Sequence, residues 1–391
     1  MRPEANEWAR QVRAATYLSS MVKHRRHLHA HPEVGLELAA THEYIARSLR
    51  SLGLTPEVRP SGGVTVRISG RGPTGQVRVL RADMDALPLM ENTGLPYSSR
   101  TPGAMHACGH DLHMAMLLGA AELFVSTPPV HDVVLAFQPG EESDRGALRV
   151  LEHENLRLPS DTATFAIHVN AVVPSGTVTS RAGTFMAYGD WFRVSFVGSG
   201  GHASAPQLAS NPIDGMSAWV LRLHELVDEL GLSEELVATV TESTAGNTVN
   251  VIPTNGSMRG TLRTLSEEHR SVLQARLTKT TSEIAGRFGL KGELKITAGY
   301  PAVINDPAFL DAVLAQLDAE RPTTHSEIMV GPSMVIEDFA YFLQRWRGAM
   351  VYLGAQVGSR KAFNHSDDVM FDEAAMSVGL ALHSLVADLR F

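Results

Sequence analysis

The sequence predicts an α/β protein: a mixed, mostly parallel sheet flanked by helices, interrupted by a smaller α+β domain. Three observations predict it. Short apolar runs alternate with helical segments through the first half of the chain. Three of those runs end in polar, potentially ligating residues: Asp83 and Asp85, Glu141 and Glu142, and His168. The segment from about Ala187 to Thr297 changes to a β, α, β, β, α, β order, which is the split ferredoxin-like pattern.

The elements follow in order. Glu4–Leu28 has apolar residues at helical spacing and meets no proline until Pro32 after its start. A second helix is expected from Ala39 to Leu52, before Gly53. Val64–Ser69 alternates as a strand, and Val77–Ala82 is a buried strand closing on Asp83. Met114–Val125 reads as helix, His131–Phe137 as strand, and Phe165–Val169 as strand ending around His168. In the smaller domain, strands are expected at Asp190–Val197, Thr239–Glu242, Thr248–Ile252, Ser257–Thr264 and Glu293–Thr297, with helices at Asn211–Leu230 and Glu267–Phe288. The expected division is therefore a discontinuous domain, 1–186 with 298–391, and an inserted domain, 187–297. The stripe Ile213, Met216, Val220, Leu223 and Val227 on the first of those helices would pack on its own sheet or on a partner copy.

Composition narrows the function. The chain has 391 residues, 44% of them hydrophobic, enough for sizeable cores. Its net charge of −8 argues against nucleic-acid or anionic-membrane partners. A single cysteine, Cys108, excludes an intrachain disulfide and fits a reducing compartment. No stretch reads as a signal peptide or a membrane span, so a soluble, cytoplasmic protein is expected. Histidine is the unusual component, with 17 copies.

The densest chemistry lies in Met105-His106-Ala107-Cys108-Gly109-His110-Asp111-Leu112-His113. Thiolate and imidazole both ligate zinc-like cations, although this segment alone also reads as a buried cysteine beside capping histidines. Glu141 and Glu142 follow an apolar strand and a Pro-Gly turn, where adjacent carboxylates need a positive charge opposite or full solvation. His168 and His365 could be ligands or satisfied structural residues. Together these residues could hold two cations sharing one ligand, with a glutamate handling the proton of an attacking water. Gly198-Ser199-Gly200-Gly201-His202 lacks the spacing of a dinucleotide fingerprint, while its histidine could donate to an oxyanion. Arg263 could pair with a substrate carboxylate or be an ordinary strand arginine.

Several segments in order resemble the M20 metallopeptidase family, in its aminoacylase-like amidohydrolase branch. They are Arg25–Glu33, Arg81–Pro88, Cys108-Gly109-His110-Asp111, Gln138–Glu142, Gly201–Pro206, Asn250–Pro253 and Glu337–Tyr341. That resemblance implies an N-acyl-amino-acid amidohydrolase with two divalent ions per subunit, Mn²⁺ or Zn²⁺, with Co²⁺ or Ni²⁺ as alternatives. It implies Cys108 as bridging ligand, His110 and His168 on one ion, Glu142 and His365 on the other, and Glu141 as general base. Asp85 would support the metals from behind. His202, Asn250 and Arg263 would contact substrate from the smaller domain, with His202 often supplied across a homodimer. A dipeptidase or N-acyl-diaminopimelate deacetylase, or a non-catalytic binder of acyl amino acids, are the alternatives. The sequence departs from the branch at Gly140, at Val169-Asn170, and at His365-Ser366-Asp367, where a proline is expected two residues after the histidine.

Overall fold

Long apolar runs that end on a charge are what a strand buried on both faces requires, and the main sheet is built from them. The protein is described by a computed structural model covering residues 15–72, 75–142, 145–231, 234–321 and 324–390. It divides into two compact units. The larger comprises Met1–Phe185, Ile304–Gly331 and Asp338–Phe391; the smaller comprises Met186–Val303 and Pro332–Glu337.

In the larger unit, eight strands form one sheet in the order Glu57–Arg59, Gly63–Ile68, Asp132–Gln138, Val77–Asp83, Ala163–Pro174, Arg347–Gln356, Val178–Ser180 and Ser326–Ile328. The four central strands, Asp132–Gln138 through Arg347–Gln356, run parallel; Gly63–Ile68 joins antiparallel. Val77–Asp83 is buried along its whole length. Register sets Asp83 beside Gln138, and His168 beside Tyr352. The polar ends of Val77–Asp83 and Asp132–Gln138 therefore gather at one edge of the sheet, where open α/β sheets bind ligands. The strand expected to end around His168 instead runs on to Pro174, with His168 inside it.

The helix after the cysteine segment begins at His110, four residues before the apolar periodicity starts, and runs to Ser126. Its first twelve residues are all buried, so its opening turn is placed by packing rather than by an amphipathic stripe. Gly109 caps it at φ +87°, and a Cβ there would stand 2.3 Å from Val169 Cγ2. Glycine is required twice at this position, for the left-handed backbone and for the close approach. The expected first helix, Glu4–Leu28, begins outside the described residues and runs Ala15–Ala30 within them.

The smaller unit has a four-stranded antiparallel sheet ordered Leu236–Ala245, Asn255–Thr264, Tyr188–Val197 and Lys291–Ala298. Helices Pro212–Leu230 and Glu267–Arg287 lie in the chain between those strands in the split ferredoxin-like order. The expected strand Thr248–Ile252 shrinks to Val251–Ile252, which pairs with Gly201–His202 outside that sheet. Pro332–Glu337 also joins this unit, through the Ala187 N–H donating to Val335 O at 3.0 Å.

The apolar stripe of Pro212–Leu230 is centred differently from its expected residues. Met216, Trp219, Leu223 and Leu226 are buried, whereas Ile213 is 41% exposed. The indole of Trp219 packs against Phe192 and its Nε1–H donates to Thr281 Oγ1 at 3.0 Å. Trp219→Ala should therefore cost about 3–5 kcal/mol in urea unfolding. Leu221→Ala, on the open side of the same helix, should stay within about 0.5 kcal/mol.

Candidate metal centre

The sheet edge and the first turn of the His110 helix bring distant donors together. Cys108 Sγ lies 3.3 Å from His168 Nε2 and 3.2 Å from His365 Nε2. His365 Nε2 lies 3.3 Å from Glu142 Oε1, and His110 Nε2 lies 3.9 Å from that oxygen. Cys108, His110 and His168 form one group of donors within 4.8 Å of one another; Cys108, Glu142 and His365 form a second. The thiol belongs to both. A left-handed Gly109 and the first turn of a helix aim Cys108 and His110.

Asp85 sits behind the donors. Its Oδ1 accepts the Glu141 N–H at 2.9 Å and its Oδ2 the Glu142 N–H at 3.1 Å. His110 Nδ1 contacts the Asp85 carbonyl at 2.8 Å; since a carbonyl only accepts, Nδ1 carries the proton. His168 is held in the same way by the Val169 carbonyl, 2.9 Å from its Nδ1. Both rings therefore turn a bare Nε2 toward Cys108. His113 has the same tautomer in a supporting role: its Nε2 accepts the Val169 N–H at 2.8 Å and its Nδ1–H donates to Asp83 at 2.5 Å.

The electrostatics ask for added positive charge. Burial pushes the Cys108 thiol up, and Glu142, Glu141 and Asp83 push it further. Burial lowers His168 to about 3 and also lowers His110, so both are neutral. Burial also opposes ionisation of Asp83, but Arg81, with His110 and His113, outweighs it and holds Asp83 well below the carboxylate range. Burial and the nearby Glu142 raise Asp85. The Cys108 thiol thus lies among acidic groups while the two buried imidazoles beside it, His110 and His168, are neutral.

The residues present fit a pair of divalent ions. The donors mix thiolate, imidazole and carboxylate, the set that suits zinc-like metals. His110 Nε2 is fully buried and has no hydrogen-bond partner in the structure, which leaves a lone pair for a cation.

His202, Asn250 and Arg263 belong to the smaller unit. His202 is exposed and pairs with Val251 across a short two-stranded ribbon. The Ser204 N–H donates to His202 Nδ1 at 3.2 Å, so a neutral ring keeps its proton on Nε2. Asn250 is exposed, and its backbone carbonyl accepts the Ala203 N–H at 3.0 Å, tying it to the His202 segment. Arg263 is half-buried beside Gly189, and its NH1 has no hydrogen-bond partner.

Sequence reasoning missed several supporting groups. Arg81 donates to Asp83 at 2.6 Å and to Asp338 at 3.1 Å; Asp338 also accepts Gln138 Nε2 and the Ala147 N–H. Asn364 was passed over beside His365. Arg25 and His29 both bond Asp111 Oδ2 at 2.9 Å, steadying the helix that carries His110. The spacing of Arg81 two residues before Asp83 was a usable signal; the long-range partners had none.

The profile of peptidase family M20/M25/M40 matches residues 79–388. The chain belongs to this family. The M20 chain is 33% identical over 372 residues to an N-acetyldiaminopimelate deacetylase of Oenococcus oeni, spanning 92% of this chain and 95% of that protein. It is 36% identical over 354 residues to an N-acetyl-L-cysteine deacetylase of Bacillus subtilis, spanning 89% and 83%. Among solved structures, a Bacillus subtilis dinuclear metal binding peptidase of the M20 family superposes with a TM-score of 0.82 at 30% identity, covering 96% and 98% of the two chains. A putative aminohydrolase from methicillin-resistant Staphylococcus aureus gives 0.88 at 28%, covering 97% and 98%. The M20 chain is thus a hydrolase of the amidohydrolase branch.

The clamp behind the centre gives a pH signature. Burial opposes charging His29, but Asp111 and Glu91 outweigh it and raise its pKa to about 9. A raised folded pKa stabilises fully below the unfolded value near 6.5 and loses that contribution as pH climbs through about 9. His29→Gln should therefore cost on the order of 3 kcal/mol at pH 6, with the gap narrowing toward pH 10. Urea melts of the two proteins across that range would measure it.

Proposed function

We propose that this M20 chain hydrolyses the amide bond of N-acyl amino acids, acetyl substrates among them, as a two-metal enzyme. The convergence of Cys108, His110 and His168 with Glu142 and His365 on one sheet edge carries the reading. The two deacetylase relatives support the substrate class. Cys108 would bridge Mn²⁺ or Zn²⁺ ions, with Co²⁺ or Ni²⁺ as substitutes; His110 and His168 would hold one and Glu142 and His365 the other. When bound, such ions polarise the scissile carbonyl and acidify water.

The chain's own residues supply the rest. Glu141 is the general base: its carboxylate takes the proton of the attacking water and delivers it to the departing nitrogen. The Asp85 bond to its N–H fixes where that carboxylate starts. His202, protonated on Nε2, donates to the oxyanion that forms on the former carbonyl oxygen. Arg263 and Asn250 hold the substrate carboxylate, and the unpartnered NH1 of Arg263 suits that task. The smaller unit would serve as a lid and as the contact of a homodimer.

The Oenococcus oeni relative favours an N-acetyl-diaminopimelate substrate as a second reading. Assays with N-acetyl amino acids of varied side chains, including a distal amine, separate the two. Glu141→Gln should lower kcat by roughly 10²- to 10⁴-fold while metal content, measured by plasma mass spectrometry, stays at two ions. Chelation should abolish turnover of the unmutated enzyme, and adding back Mn²⁺, Zn²⁺ or Co²⁺ should restore it. Full turnover by the chelated protein or by Glu141→Gln would overturn the proposal.

A further inference from the structure

The donors of the centre differ in how they are held. Cys108, His110 and His168 are at most 9% exposed and lie on or beside a buried helix and a central strand. His365 is 52% exposed at its side chain, lies in a loop, and adopts φ +72°. That left-handed backbone is uncommon for a residue other than glycine. Something must hold it, and the proline expected two residues after this histidine is Asp367.

The neighbouring side chain does so. The Asn364 amide commits both of its N–H donors and its oxygen to the other two donor segments. Its Oδ1 accepts the Ala171 N–H at 3.0 Å, in the same strand as His168. Its Nδ2 donates to the Cys108 carbonyl at 3.2 Å and to the Val169 carbonyl at 3.0 Å. The Val169 carbonyl is the same acceptor that fixes the His168 tautomer. The His365 N–H closes the arrangement by donating to the Ala107 carbonyl at 2.9 Å. One amide therefore ties the cysteine turn, the histidine strand and the His365 loop together.

We propose that Asn364 is the positioning residue that sets the affinity of the cation position completed by His365, leaving the Cys108–His110–His168 position largely independent of it. The inference rests on the two-metal reading above. A side-chain amide is suited to the role because it presents an acceptor to the Ala171 N–H and two donors to the two carbonyls at once. Neither a hydroxyl nor a carboxylate can match that pattern. Because His365 lacks helical or strand support, losing the amide frees its loop, whereas His110 and His168 keep their own carbonyl partners. Groups of this kind, one bond removed from a metal ligand, typically change metal affinity by about 10- to 100-fold when removed.

The test is calorimetric titration of the metal-free full-length chain with Mn²⁺ and Zn²⁺, alongside the visible spectrum of the Co²⁺ form. The unmutated protein should take up two ions. Asn364→Ala should bind the first as before and the second about 10- to 100-fold more weakly, with turnover recovered by raising the metal concentration. Asn364→Asp, close to isosteric but facing two carbonyls with oxygen, should behave alike and guards against a folding defect in the alanine variant. His365→Ala should show the same loss of the second ion without recovery. Equal weakening of both ions, or unchanged binding of both, in a variant with unaltered circular dichroism would overturn the role of Asn364. Failure of the unmutated protein to bind a pair would instead overturn the two-metal reading.

Discussion

Asp85 is the residue on which the centre depends, because all three of its oxygens are committed there. Its backbone carbonyl fixes the tautomer of His110, and its two carboxylate oxygens seat the N–H groups of Glu141 and Glu142. A buried carboxylate that satisfies two backbone donors gains far more in a dry interior than it would in water, and leaving those donors unmet would be costly. The turn after the strand Asp132–Gln138 and the helix beginning at His110 are thereby locked to one point. Glu141, Glu142 and His110, from separate segments, inherit a common frame.

The layers behind that point solve a charge problem in sequence. Asp83 is held ionised by Arg81, which is itself shared with Asp338, and Asp338 reaches back to the Ala147 N–H after the glutamate turn. Arg25 and His29 neutralise Asp111 on the outer side of the same helix. Asp83, Asp338, Asp111 and Asp85 thus each have a cation or a pair of N–H donors, as burial demands. Glu142 meets His365, and Cys108 meets His168 and His365.

Much of this was legible in one dimension. Buried parallel strands are continuous apolar runs, so Val77–Asp83 and Asp132–Gln138 stand out, and their polar ends announce the ligand edge. The start of the His110 helix was hidden because its first turn is buried on every side and offers no periodicity. The return of Pro332–Glu337 to the smaller unit was hidden because it is a non-local pairing of short irregular chain. Asn364 was invisible for a related reason: its value lies entirely in carbonyls of segments remote from it in the chain, and its residue type alone says nothing. Likewise the stripe on Pro212–Leu230 was read from aliphatic residues, while the packing pivots on Trp219.

The strand Arg347–Gln356 pairs with Ala163–Pro174, yet the whole smaller unit is encoded between them. During synthesis the central sheet must wait, one inner edge bare, until Arg347–Gln356 has left the ribosome. The inserted unit's sheet pairings all fall within Tyr188–Ala298, so it can mature during that delay. Closure of the large sheet is then a late, long-range event, and the unpaired edge of Ala163–Pro174 is the nascent chain's most vulnerable surface for wrong pairing.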